Sequence, residues 1–136
     1  MVEITLRYQG ELRTRCEHGP SSTVLHTDAP VDNHGRGESF SPTDLVATAL
    51  GSCMLTIMGI VADRHGIDLS AATVTVVKHM VADPARRIGR LEVDVRVPGL
   101  EDPAHRERLE RATLTCPVHA TLGDRVEMPV RFHWDS

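Results

Sequence analysis

The sequence predicts an α+β fold: about six strands in antiparallel hairpins, a long buried central helix and a second, shorter helical region. Three observations carry this. Apolar and polar residues alternate with period two in several separate stretches, the mark of half-buried strands. Between Ser41 and Gly66 a long apolar run is bounded by helix start and stop signals. The order is strands, helix, hairpin, helix, strand, which is not the alternation of a βαβ repeat.

The first hairpin is read from "MVEITLRYQGELRTRCE". Val2, Ile4, Leu6 and Tyr8 share one face, Gln9-Gly10 turns the chain, and Leu12, Thr14 and Cys16 share a face of the returning strand. Cys16 therefore points inward and reads as core. "STVLHT" supplies a third, shorter strand. Ser41-Pro42-Thr43-Asp44 then offers an N-cap serine, proline at the first helical position and an acid at the third. This is a capping box with Asp in place of Glu. The helix runs to about Arg64-His65 and stops at Gly66. Its apolar residues, from Leu45 to Val61, lie round most of the circumference, so burial on nearly every side is expected.

"ATVTVVKHMV" and the alternation of Leu91, Val93, Val95 and Val97 form a second hairpin across "DPARRIG". A charged helix begins at the N-cap Asp102 and Pro103, with Glu107 and Arg111 spaced for an i,i+4 pair. Its thin apolar stripe, Leu109, Ala112 and Thr113, would continue to Cys116, but Pro117 disfavours helical geometry there. Pro117 starts a fresh turn, "PVHATL", ending at Gly123 and leaving Cys116 at its N-cap. Val126, Met128, Val130, Phe132 and Trp134 alternate in the last strand.

A chain of 136 residues is most simply one domain, 1–136, able to bury about two-thirds of its unfolded surface. Aromatics are 3% of residues, so the core falls to Val, Leu, Ile, Ala and Met. The net charge is -4 with basic residues scattered among acids. That leaves no electrostatic footprint for nucleic acid or an anionic membrane. No basic-then-apolar leader opens the chain, and Thr48, Gly51, Ser52 and Thr56 interrupt the apolar helix. A cytoplasmic protein is expected. One sheet cannot easily cover a helix that is apolar all round, so a second copy is expected to supply the remaining wall in a homodimer.

The cysteines stand at 16, 53 and 116, an odd number that makes no secreted disulfide framework. In a reducing compartment, thiols so far apart suggest core filling, metal ligation or redox chemistry. Cys53 lies within "ALGSCMLTIM", where a cysteine is ordinarily a small hydrophobe. Cys116 faces the free N–H groups and positive dipole end of a helix start, which are expected to favour thiolate and lower its pKa. Cys116 with His119, and Cys16 with His18, lack the paired spacing of a zinc site, so no metal is expected. A Cys–His hydrolase built on Cys53 and His119 has no feature singling out His119 as base.

"SPTDLVATALGSCMLTIMGIVADRHGI" together with "ATLTCPVHATL" resembles the OsmC/Ohr family of thiol peroxidases, in particular its OsmC-like branch. The likeness covers nearly the whole chain. It implies an OsmC-like fold in an intertwined homodimer whose two sites are each built from both chains, with no metal or organic cofactor. It implies that Cys53 is the peroxidatic and Cys116 the resolving cysteine. Cys53 would attack a peroxide, the resulting sulfenic acid would condense with Cys116, and an external dithiol would reduce the disulfide.

The family's best-studied branches also use an arginine and a glutamate beside the thiolate. The glutamate position is Thr43 here, with the nearest carboxylate on Asp44, which serves equally as the capping acid. For the arginine the candidate is Arg36 in "NHGRGES", a loop whose glycines permit close backbone approach. Arg13 and Arg15, on the polar side of a strand, are weaker candidates, and Arg36 reads also as a solvated loop residue. The competing reading is a small-molecule-binding or redox-sensing module on the same dimeric scaffold, favoured by the missing glutamate.

Overall fold

The computed structural model describes residues 1–135. They form six strands, β1 Ile4–Gly10, β2 Arg13–His18, β3 Val24–Asp28, β4 Thr73–Val81, β5 Arg87–Arg96 and β6 Val130–His133. Three α-helices accompany them: α1 Pro42–His65, α2 Pro103–Thr113 and α3 Pro117–Leu122. The architecture is α+β, and the chain divides into two compact units, Met1–Val46 and Ala47 onward.

The first unit is an antiparallel sheet in the order β1-β2-β3. Its first turn is Glu11-Leu12, with φ of 54° and 62°, and not the expected Gln9-Gly10. Positive φ at both central residues is the geometry of a tight two-residue hairpin, whose twist matches that of the strands. Cys16 sits opposite Leu6 on one side and Leu25 on the other, and it is buried, as the alternation predicts. The rest of that apolar face departs from expectation. Ile4, Leu6 and Tyr8 are 56%, 64% and 65% exposed, because three strands and a loop give the unit no second layer of its own to lay on its sheet.

The second unit is built on α1. Leu50, Met54, Met58 and Ala62 recur at helical spacing and join Leu91, Val93 and Val95 of β5 in one buried cluster. Gly51 lets the helix lie close to β4: a Cβ there would stand 3.1 Å from Val76 Cγ2 and 3.3 Å from Val74 Cγ1. Burial on nearly every side is not what a single chain shows. The buried residues form one stripe, Ala47 to Ala62, while Ala49 and Ile60 are exposed. By length and composition α1 could cross a membrane, with mean hydropathy 2.1 over its most apolar window. Its packing into the cluster marks it as a core helix.

β4 and β5 pair antiparallel across residues 82–86, so the second hairpin forms as expected. The last strand does not. β6 runs parallel to β5, from Val130 against Val93 to His133 against Arg96. α2 and α3 carry the chain back across the sheet, and a crossover of that kind delivers a strand in parallel sense. β6 is also shorter than the alternation suggests. Pro129 has no N–H to give a ladder, although its carbonyl still accepts from Val93 N–H at 2.9 Å.

Asp94 of β5 ties β6 in place, accepting from His133 Nε2 at 2.8 Å and from Arg131 Nη2 at 3.1 Å. Beyond it, Phe132 stacks on Trp134, and the Arg106 guanidinium of α2 lies 5.7 Å from the Trp134 ring centroid. The hydrogen bonds from His133 and then Arg131 hold the Asp94 carboxyl below its ordinary value. A depressed carboxylate contributes stability that is present above its unfolded pKa and lost as pH falls through the folded one. Asp94→Asn should therefore destabilise the protein at neutral pH. The gap to the parent should close as pH falls below about 3.9. Urea unfolding read on Trp134 fluorescence measures this, and a gap that stays constant into acid would remove Asp94 as a source of pH dependence.

Candidate functional site

α1 delivers the first thiol. Met54 faces fully inward, and Cys53, one residue earlier, lies on the flank of the buried stripe, half-buried against the core cluster. The second thiol comes from the end of the α2 stripe. Leu109 and Thr113 are fully buried, α2 ends with Leu114 as its C-cap, and Pro117 opens α3. Between the two helices Cys116 is completely buried and caps α3, its Sγ accepting from the His119 backbone N–H at 3.3 Å. This is the N-cap that the Cys-Pro dipeptide predicts.

The fold brings these two free thiols into one neighbourhood: both pack on the same buried cluster, and the Cys53 side chain is close enough to act on the Cys116 thiol. The expected direction of the Cys116 pKa is overturned. The N–H groups of His119 and Val118 do pull it down, but burial pushes it up more strongly, and Cys53 pushes in the same direction. Its pKa ends above the ordinary thiol value because desolvation of a sulfur with no exposure outweighs the pull of a six-residue helix. With its pKa above the ordinary thiol value, Cys116 remains a thiol at neutral pH.

The other candidates belong to the first unit. Asp44 and Ser41 form a reciprocal capping box: Ser41 Oγ accepts from Asp44 N–H at 3.0 Å, and Asp44 Oδ2 accepts from Ser41 N–H at 2.9 Å. Thr43 Oγ1 lies 3.2 Å from Ser41 Oγ in the same cap. Arg36 is exposed and pairs with Glu11 Oε1 at 3.4 Å. Cys16 stands 3.6 Å from Thr14 Oγ1, and Thr14 in turn hydrogen-bonds Thr27. Arg15 pairs with Glu17, while Arg13 lies between Asp28 and Glu38. That last cluster is not legible in the sequence, where its members stand on β2, β3 and a loop. Among the described residues no group of three or more His, Cys, Asp or Glu converges to hold a metal.

Residues 35–131 match the family model for OsmC-like proteins, well over half the chain. The chain belongs to the OsmC-like family. Among solved structures, this OsmC-like protein is similar to a Psychrobacter arcticus protein assigned to the osmotic stress induced and detoxification response. The two share 42% identity with a TM-score of 0.91, over 98% of this chain and 96% of that one. An organic hydroperoxide resistance protein OsmC from Legionella pneumophila matches at 17% identity and TM-score 0.79, over 98% and 96% of the two chains. The organic hydroperoxide resistance protein OhrB of Bacillus subtilis matches at 16% identity and TM-score 0.73, over 97% of each chain. These two share the fold. No curated protein matches the sequence.

With its carboxylate committed to the cap, Asp44 should matter more to the helix than to the thiols. Asp44→Ala should lower stability by about 0.5–2 kcal/mol and leave the alkylation rate of Cys53 close to that of the parent. A large fall in thiol reactivity at unchanged stability would reverse this and make Asp44 the stand-in for the family's glutamate.

Proposed function

We propose that this OsmC-like protein is a thiol-dependent peroxidase that reduces organic hydroperoxides, and hydrogen peroxide less well, in oxidative stress defence. Family membership supports a redox or stress-response role, and relatives of the same fold are named for organic hydroperoxide resistance. The observation that carries the finer reading is the juxtaposition of two free thiols, Cys53 and Cys116, on one buried cluster. Cys53 attacks the terminal peroxide oxygen, the O–O bond breaks, and the alkoxide leaves as the alcohol after taking a proton. The Cys53 sulfenic acid is then attacked by the Cys116 sulfur, which forms the disulfide and releases water. An external dithiol restores both thiols.

Cys116, held protonated, is suited to wait, while the half-buried Cys53 is the sulfur that peroxide can reach. Arg36 is the proposed cation for the thiolate, since its exposed pair with Glu11 is weakly held. The protein acts in the cytoplasm as a homodimer. The exposed Ile4, Leu6 and Tyr8, alternating along one face of β1, support the second copy as an apolar surface for it to cover. A ligand-binding or redox-sensing role is the second reading, resting on Thr43 at the position of the family's glutamate.

One equivalent of an organic hydroperoxide should consume both thiols and yield a Cys53–Cys116 disulfide detectable by mass spectrometry. Cys116→Ser should trap the sulfenic acid on Cys53, and Cys53→Ser should abolish peroxide consumption. If Cys53→Ser consumes peroxide as fast as the parent, or if the parent's thiols survive excess hydroperoxide, the binding reading replaces the enzyme.

The dimer is tested separately. Its unfolding midpoint should rise with protein concentration, whereas a stable monomer in sedimentation would exclude the second copy.

A further inference from the structure

The first unit contains a cleft of about 210 Å³ lined only by polar and charged residue types, Arg13, Asp28 and Glu38 with their neighbours Gln9, His26, Thr27 and Ser39. Its charges are poorly matched to one another. The Asp28 side chain is only 2% exposed. Its Oδ2 accepts from the Glu38 backbone N–H at 3.1 Å, but its buried Oδ1 has no donor. Arg13 Nη2 stands 3.2 Å from Glu38 Oε1 and 3.7 Å from Asp28 Oδ2, yet neither Nη2 nor Nε makes a hydrogen bond. Nor does His26 complete the set, since its Nδ1 bonds Gln9 Oε1 at 3.1 Å.

Buried charged groups left without hydrogen-bond partners are costly, and native structures ordinarily fill such sites. What is missing here is both a donor, for Asp28 Oδ1, and an acceptor, for the Nε–Nη2 edge of Arg13. That edge is the planar fork that takes a carboxylate with two parallel hydrogen bonds. A simple anion would meet two acidic side chains around one arginine, and a simple amine would leave the fork empty. A molecule carrying both charges answers both needs.

We propose that this cleft binds a small zwitterion of the amino-acid type, its ammonium donating to Asp28 Oδ1 and its carboxylate taking the fork of Arg13. Arg13 is a third exposed and Glu38 more than half exposed. Glu38 is the exposed member of that pair, so it can swing away into solvent and leave the Arg13 fork to the ligand while β2 stays paired. The volume suits a molecule of a few heavy atoms, such as glycine or serine. The site uses residues 9–39 alone and involves neither Cys53 nor Cys116.

The test is calorimetric titration and thermal unfolding of the full chain with glycine, serine, acetate and methylammonium. Glycine and serine should bind saturably and raise the unfolding temperature, while acetate and methylammonium should each bind weaker by about tenfold or more. Arg13→Gln and Asp28→Asn should each weaken glycine binding by a similar factor. Arg13→Gln, at a partly exposed position, keeps the test open if the Asp28 variant does not fold. In ¹H–¹⁵N spectra of the parent, glycine should move the Glu38 amide that bonds Asp28. The proposal is overturned by the absence of glycine binding, by acetate or methylammonium binding as tightly as glycine, or by an Arg13→Gln protein that binds glycine like the parent.

Discussion

The packing of α1 on β5 is the constraint from which the rest of the second unit follows. Leu50, Met54 and Met58 are wholly buried, as are Leu91 and Val95 opposite them. Each such side chain contributes about 1.5–3 kcal/mol on burial, so rotating α1 about its axis by even one position would forfeit several of them. That fixes the direction of every other residue on the helix. Cys53 precedes Met54 and is therefore held on the flank of the stripe, neither in the core nor in open solvent. Leu109 and Cys116 belong to the same buried cluster, so one core determines where both sulfurs stand.

Around that core the sequence is most readable where structure is local. The capping box at Ser41 and Asp44, the Asp102 cap of α2 and the Cys116 cap of α3 each depend on a few adjacent residues, and each forms as those residues require. The alternation of Leu91, Val93, Val95 and Val97 predicts a buried strand face because a strand with one face in the core leaves that period in its sequence. That Cys53 and Cys116 come to lie near one another is legible only through family resemblance, since the residues between them carry no local rule that joins them.

What the sequence hides is what depends on distant packing. The parallel sense of β6 comes from the path of α2 and α3, to which the alternation of the strand itself is indifferent. The exposure of the β1 face and of part of α1 reflects which elements a single chain can supply, whereas periodicity records only which residues are apolar. The pKa of Cys116 went the other way from its helix position for the same reason: a cap is local, and burial is not. Arg13, Asp28 and Glu38 meet across two strands and a loop, and nothing in the spacing of such residues announces it.

The depth of Cys116 bears on how the proposed disulfide would be reopened. A sulfur with no exposed surface cannot be approached by an incoming thiolate, so attack is confined to the sulfur of Cys53, and Cys116 must depart. A thiol with a raised pKa is a reluctant leaving group. The His119 N–H, which already donates to that sulfur at 3.3 Å, is positioned to receive its negative charge as it separates. In the proposed cycle, opening of the bond would thereby be regioselective, with the turn from Cys116 into α3 as an anion cradle for the departing thiolate.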